Sequence, residues 1–155
     1  MFKSYSMKKY LLILSTPLIL VYCNNNANES EEKADTIAIS YSWEATLNDS
    51  GKLDIRKVEQ GPDTLTPAAV IDFLNKMHEH IKLQFIKTSN DTLYVSIPDA
   101  NYLTQQMGSS GPEEYFARVV YNLTEIPGIK YVNFDMQEGD HAGPGVMSRG
   151  SFKDE

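Results

Sequence analysis

Four stretches of the sequence carry residue types that could do chemistry. His78-Glu79-His80 offers two imidazoles and a carboxylate, a set suited to a metal ion. Spacing argues against it: the three lie in an expected helix, where residues two apart point about 200° from one another and share no face. They read instead as solvated surface side chains. Gly108-Ser109-Ser110-Gly111 has the glycines of a phosphate cradle. Yet no Gly-Lys-Ser/Thr follows, and no Gly-x-Ser-x-Gly occurs, so neither a P-loop nor a nucleophile elbow is written there. A loop ending in a helix cap accounts for it. Asp140-His141 could serve a serine in a nucleophilic triad, but nothing marks which serine. Cys23 is the single cysteine, which excludes a disulfide within the chain. With no paired carboxylates and no metal-ligand spacing, the expectation is a non-enzymatic protein without metal or cofactor.

The elements that must position any site are clearest between residues 109 and 136. Phe116, Val119, Val120, Leu123 and Ile126 fall at i, i+3, i+4, i+7 and i+10, one apolar stripe on one helix. Ser110 and Glu113 fit a capping box with Pro112 in the first turn, and Pro127-Gly128 ends the helix. Val132, Phe134 and Met136 then alternate with Tyr131, Asn133 and Asp135, the period of a half-buried strand. A helix joined so tightly to a strand must fold back onto the sheet.

Upstream, Ile37, Ile39, Tyr41 and Trp43 alternate with small or polar residues, and Trp43 is expected in the core. Asn48-Asp49-Ser50-Gly51 turns the chain into a return strand over residues 52–59. Thr66 and Pro67 open a helix whose buried face is Val70, Phe73, Leu74, Met77 and Ile81. Residues 83–87 and 92–97 read as a hairpin, with Leu93, Val95 and Ile97 on one parity and Tyr94 and Ser96 on the other. Residues 99–111 read as a polar loop or short turn. In the glycine-rich tail, Phe152 is expected to tuck back onto the core.

The run Arg118-Val119-Val120-Tyr121-Asn122-Leu123-Thr124-Glu125-Ile126-Pro127-Gly128-Ile129, followed by Val132-Asn133-Phe134, resembles the C-terminal half of the GerMN domain of sporulation and germination lipoproteins. Asn90-Asp91-Thr92-Leu93-Tyr94-Val95 resembles that family's preceding hairpin strand, and the likeness covers roughly residues 64–152. It implies a helix-strand-strand-helix-strand core similar to the ring-building modules of secretion and sporulation complexes. It implies a scaffolding role but no chemistry, since the matching residues are nearly all apolar or turn formers. Similar domains occur in bacteria that form no spores, so a germination role does not follow.

The amino end has its own signature. Met7-Lys8-Lys9 precedes a thirteen-residue apolar run, residues 10–22, about the length of a signal-peptide h-region and too short to span a bilayer. Leu20-Val21-Tyr22-Cys23 resembles a bacterial lipobox, with Tyr22 where that pattern carries a small residue. The expected organisation is a lipoprotein signal peptide over residues 1–22, with Met7 as an alternative start, then lipidated Cys23 and a disordered acidic tether over residues 23–35. A GerMN-like domain over residues 36–155 follows. Without the segment before Cys23, 11 basic residues face 21 acidic ones, a net charge of −10. No nucleic-acid partner is expected, since phosphate binding needs clustered basic residues and the sequence has no such cluster.

Together these elements predict an α+β two-layer sandwich: an N-terminal β-hairpin followed by αββαβ, with two helices on one face of a small mixed sheet. The other face then presents Tyr94, Ser96, Tyr131, Asn133 and Asp135, a composition rich in tyrosine and poor in charge that suits a protein interface. The expected protein is an exported, membrane-anchored envelope lipoprotein that binds an envelope protein or itself through this face. The alternative is a small-ligand or peptidoglycan-binding module using Tyr102 in the 99–111 loop or His141 in the tail.

Overall fold

The computed structural model describes residues 40–153. The expected signal segment, Cys23, the tether, and the first alternating positions Ile37 and Ile39 lie outside the described residues. Strands β1 (Ser42–Leu47) and β2 (Leu53–Val58) form an antiparallel hairpin closed by the expected Asn48 turn. Asn48 Oδ1 accepts from the backbone N–H of Ser50 and of Lys52, both at 3.0 Å, which fixes the reversal.

Helix α1 (Pro67–Met77) starts as its sequence dictates: Thr66 Oγ1 accepts from Ala69 N at 3.3 Å, and Pro67 fills the first turn. It ends four residues short of Ile81, because the chain beyond it is captured. The Asn75 side chain holds Leu83 by both backbone groups (2.8 and 2.9 Å), and Lys82 Nζ caps the carbonyls of Asn75 and His78 (2.7 and 3.0 Å). Ile81 is still buried, but from the irregular segment after the helix; Met77 is 40% exposed and Ile71 takes its place inside. His78, Glu79 and His80 are therefore not helical.

Strands β3 (Gln84–Ser89), β4 (Thr92–Ile97), β5 (Tyr131–Met136) and β6 (Gly145–Ser148) form one mixed sheet in the order β3-β4-β5-β6, with β4 and β5 parallel and the other pairs antiparallel. Parallel neighbours require a crossover, and helix α2 (Gly111–Leu123) supplies it. The stretch before α2 is not a plain polar loop. It forms a π-helical turn, Tyr102–Gln106, that buries Leu103 and Thr104, with Thr104 N and Oγ1 both donating to the Ala100 carbonyl (2.8 and 2.9 Å). The Ser110 capping box is also not made: Ser110 has helical backbone angles and no side-chain cap bond, and Glu113 and Glu114 favour the helix N-terminus by charge alone. The glycine-rich tail carries an element that its composition hides, β6, followed by a 3-10 turn, Arg149–Phe152, whose Phe152 packs on the core as expected.

All five residues of the α2 stripe are buried, against Leu93, Val95, Ile97, Val132, Phe134 and Met136 of the sheet. The parity read from the sequence is the one observed. Each such side chain contributes about 1.5–3 kcal/mol by leaving water, and Phe116 and Phe134 meet edge-to-face at 4.9 Å. Gly128, at φ +86°, makes the reversal after α2 that a side chain would resist. The Asp91 carbonyl then accepts from Lys130 N and Tyr131 N (2.8 and 3.1 Å), setting β5 beside β4.

The hairpin is not an extension of this sheet; β1 lies on the far side of α2. Glu114, Arg118 and Asn122 form a polar stripe at i, i+4 and i+8 and satisfy the outer edge of β1 in antiparallel order. Glu114 Oε1 accepts from Leu47 N (2.7 Å), Arg118 Nη2 donates to Ala45 O (2.9 Å), and Asn122 bonds both Trp43 N (2.9 Å) and Trp43 O (2.8 Å). The fit is metric: four helical residues rise about 6 Å and two strand residues about 6.7 Å. Trp43 is consequently half-buried at this junction rather than in the core.

Candidate interaction face

The sheet face turned away from the helices is built by register. Tyr94 lies opposite Asn133 and Ser96 opposite Asp135, so these four side chains share one side of β4 and β5 with Tyr131. All five expected residues are thus brought together. Tyr131 is 42% exposed; Tyr94, Ser96 and Asn133 are half-buried and Asp135 is exposed.

The neighbouring strands add residues that sequence reading missed. Val146 of β6, opposite Asn133, is 58% exposed, and Lys87 of β3, opposite Tyr94, places Nζ 4.8 Å from the centre of the Tyr94 ring. The signal for Val146 was there as an apolar residue in a glycine-rich tail, but without a recognised strand it had no face. A cation over an aromatic ring on an exposed surface is worth about 0.5–1 kcal/mol, so Lys87 is ordered without being neutralised.

At the entry to β5 a depression of about 340 Å³ is lined by Thr124, Lys130, Tyr131, Ser148 and Arg149. Arg149 is the hub of this corner. Its Nε donates to Thr124 Oγ1 (2.8 Å) and its Nη2 to Tyr121 O (2.9 Å) and Glu125 Oε1 (2.6 Å), while its guanidinium lies 5.2 and 5.0 Å from the rings of Trp43 and Tyr121. Trp43 Nε1 donates to the same Glu125 oxygen at 2.9 Å. Burial pushes the Glu125 carboxyl up, but the hydrogen bonds from Arg149 and Trp43 and the charges of Arg149 and Lys57 outweigh it and hold the group below its ordinary value.

The two loop residues take separate roles. Tyr102 is half-buried with its ring 4.6 Å from that of His80. His141 is exposed, and its backbone N–H donates to the Thr104 carbonyl at 3.1 Å. This bond and Gly139, where a Cβ would stand 2.6 Å from Thr104 Cβ, press the tail loop against the π-helical turn.

His78 is not a solvated surface side chain. Arg118 Nη1 lies 3.0 Å from Nε2, and because a guanidinium only donates, Nε2 accepts and the ring is neutral. Burial, then the Arg118 charge, then the Lys82 charge lower its pKa to about 4, and the ring meets Tyr115 edge-on at 4.9 Å. Unfolded, the same histidine takes a proton near pH 6.5. The unfolded chain therefore binds more protons between pH 6.5 and 4, so this contribution is complete above 6.5 and is lost as pH falls toward 4. Allowing for screening of a partly exposed group, the loss is on the order of 2 kcal/mol. Denaturant titrations from pH 7 to 5, above the range of Glu125, should show wild type weakening and His78→Gln, whose amide oxygen still accepts from Arg118, weakening distinctly less. Equal slopes would remove His78 from the account.

Among the described residues, no group of three His, Cys, Asp or Glu side chains is placed to hold a metal ion, and no helix is long and apolar enough to cross a membrane. A model of the Germane family, described as sporulation and spore germination, matches residues 21–140, a stretch that includes the β1–β2 hairpin and stops short of β6. No curated protein and no solved structure gave a match.

Proposed function

The chain belongs to the Germane family of sporulation and spore germination, and from that premise we propose that it is a non-enzymatic envelope lipoprotein whose single GerMN-type domain binds a protein partner. The reading rests on one observation above the others: a four-stranded sheet with a face open to solvent, carrying Tyr131 and Val146 exposed and Tyr94 between them and Lys87. Large apolar and aromatic side chains grouped on one face are characteristic of contact surfaces, where tyrosine contributes area at low entropic cost. The anchor is Cys23, lipidated after cleavage of the preceding segment. The partner is an envelope protein or a second copy of the chain.

One experiment addresses face and anchor together. Full-length wild type, the Tyr131→Asp/Val146→Asp double variant and Cys23→Ser are expressed in the native host, cross-linked and fractionated. The double variant should lose the cross-linked species while staying in the membrane fraction and keeping its stability within about 0.5 kcal/mol, as surface changes do. Cys23→Ser should leave the membrane fraction. Unchanged cross-linking would refute the face, and unchanged fractionation the anchor.

A further inference from the structure

We propose that the cavity between the hairpin and the turn ahead of α1 binds one ring of a neutral saccharide. The cavity holds about 230 Å³ and is lined by Tyr41, Asp63, Thr64 and Leu65, with Lys57 from β2 and Glu125 from the turn after α2. It is separate from the open sheet face and independent of the function proposed there. Its size falls below the roughly 300–1,000 Å³ of pockets for drug-sized ligands, which suits a single small ring.

Lys57 Nζ and Glu125 Oε2 stand 3.9 Å apart. That is past hydrogen-bond length, yet close enough for one hydroxyl group to accept from the ammonium while its own O–H donates to the carboxylate. A sugar hydroxyl does both at once; neither a simple anion nor a simple cation can. Charge points the same way. The Lys57 ammonium at the cavity wall disfavours a cationic ligand, and the carboxylates of Asp63 and Glu125, the latter paired with Arg149, offer an anion no net attraction. Tyr41 and Leu65, 42% and 44% exposed, supply the apolar surface that the C–H face of a pyranose needs, and Asp63 and Thr64 supply further acceptors and a hydroxyl.

The polar pair is also held in advance. Glu125 Oε1 is fixed by Trp43 Nε1 and Arg149, which leaves Oε2 toward Lys57, and Lys57 Nζ is seated 5.3 and 5.5 Å from the centres of the Tyr41 and Trp43 rings. Ser40 Oγ donates to the Gly61 carbonyl at 3.1 Å and ties the residues ahead of β1 to the turn that carries Pro62 and Asp63. Groups ordered before binding cost less to engage.

Trp43 is the single tryptophan and touches this cluster, so its emission reports on the site. Full-length protein in a detergent without a sugar headgroup is titrated with N,N′-diacetylchitobiose, cellobiose and, separately, alanyl-alanine. At least one disaccharide should change the emission saturably, and Lys57→Met and Asp63→Asn should each weaken the response at least tenfold while melting as wild type does. Tyr131→Asp should leave it intact, so that failure here and failure of the sheet-face proposal are told apart. No response to either disaccharide, a response to alanyl-alanine alone, or binding indifferent to both site variants would each overturn the proposal.

Discussion

Phe134→Ala should destabilise the protein by about 3–5 kcal/mol, the cost of a large aromatic deletion in a core that cannot collapse around it. Phe134 is 1% exposed at the middle of β5, under α2 and edge-on to Phe116. Its neighbours along the strand face the other way. Asn133→Ala and Asp135→Ala should cost less than about 1 kcal/mol, whereas Val132→Ala and Met136→Ala should cost more, as buried apolar truncations do. Chemical denaturation of the series is the measurement, and a saw-tooth of alternating large and small losses along β5 is the expected result. A flat profile would mean that the two faces of the sheet are not as different as the register requires.

Asn122→Ala should cost about 2–4 kcal/mol through polar groups rather than volume. One carboxamide, buried to 3% exposure, accepts from Trp43 N and donates to Trp43 O and Arg118 O. Removing it strands two backbone groups of β1 against a helix that offers no substitute. Asn122→Asp keeps the acceptor but sets a negative charge beside two carbonyls, so it should be no better tolerated. Because Trp43 is the lone tryptophan, both variants should shift its emission to the red at a denaturant concentration below the main transition. Emission that stays coincident with global unfolding in both variants, with a loss under about 0.5 kcal/mol, would show that the stripe does not hold the hairpin.

The parts of this fold legible in the sequence are those fixed by local period. The α2 stripe, β4, β5 and the parity of the sheet depend on spacing alone, and spacing is what a sequence displays. The helix overrun at His78 has a different origin: Ile81 continues the 3.6-residue pattern because it is buried, yet the burial comes from an irregular segment pinned by Asn75 and Lys82. Periodicity registers burial and not the backbone that achieves it. β6 was hidden because a short edge strand among glycines needs only a neighbour, and its neighbour β5 is long-range information. Glu114, Arg118 and Asn122 were visible as a polar stripe, but such a stripe ordinarily faces water. Only the presence of β1 turns it into a docking row. The five face residues were found by parity, and Val146 and Lys87 were missed because they belong to strands whose register a single chain segment does not reveal.

The attachment of β1 to α2 by side chains alone, with no shared backbone ladder, has a mechanical meaning. The described fold begins at this hairpin, so tension applied from the amino end falls first on Trp43, Ala45 and Leu47. Contacts pulled lengthwise along a strand are loaded together, in shear, and the Trp43 indole, bonded to Glu125 and lying against Arg149, shares the load with the Glu114, Arg118 and Asn122 row.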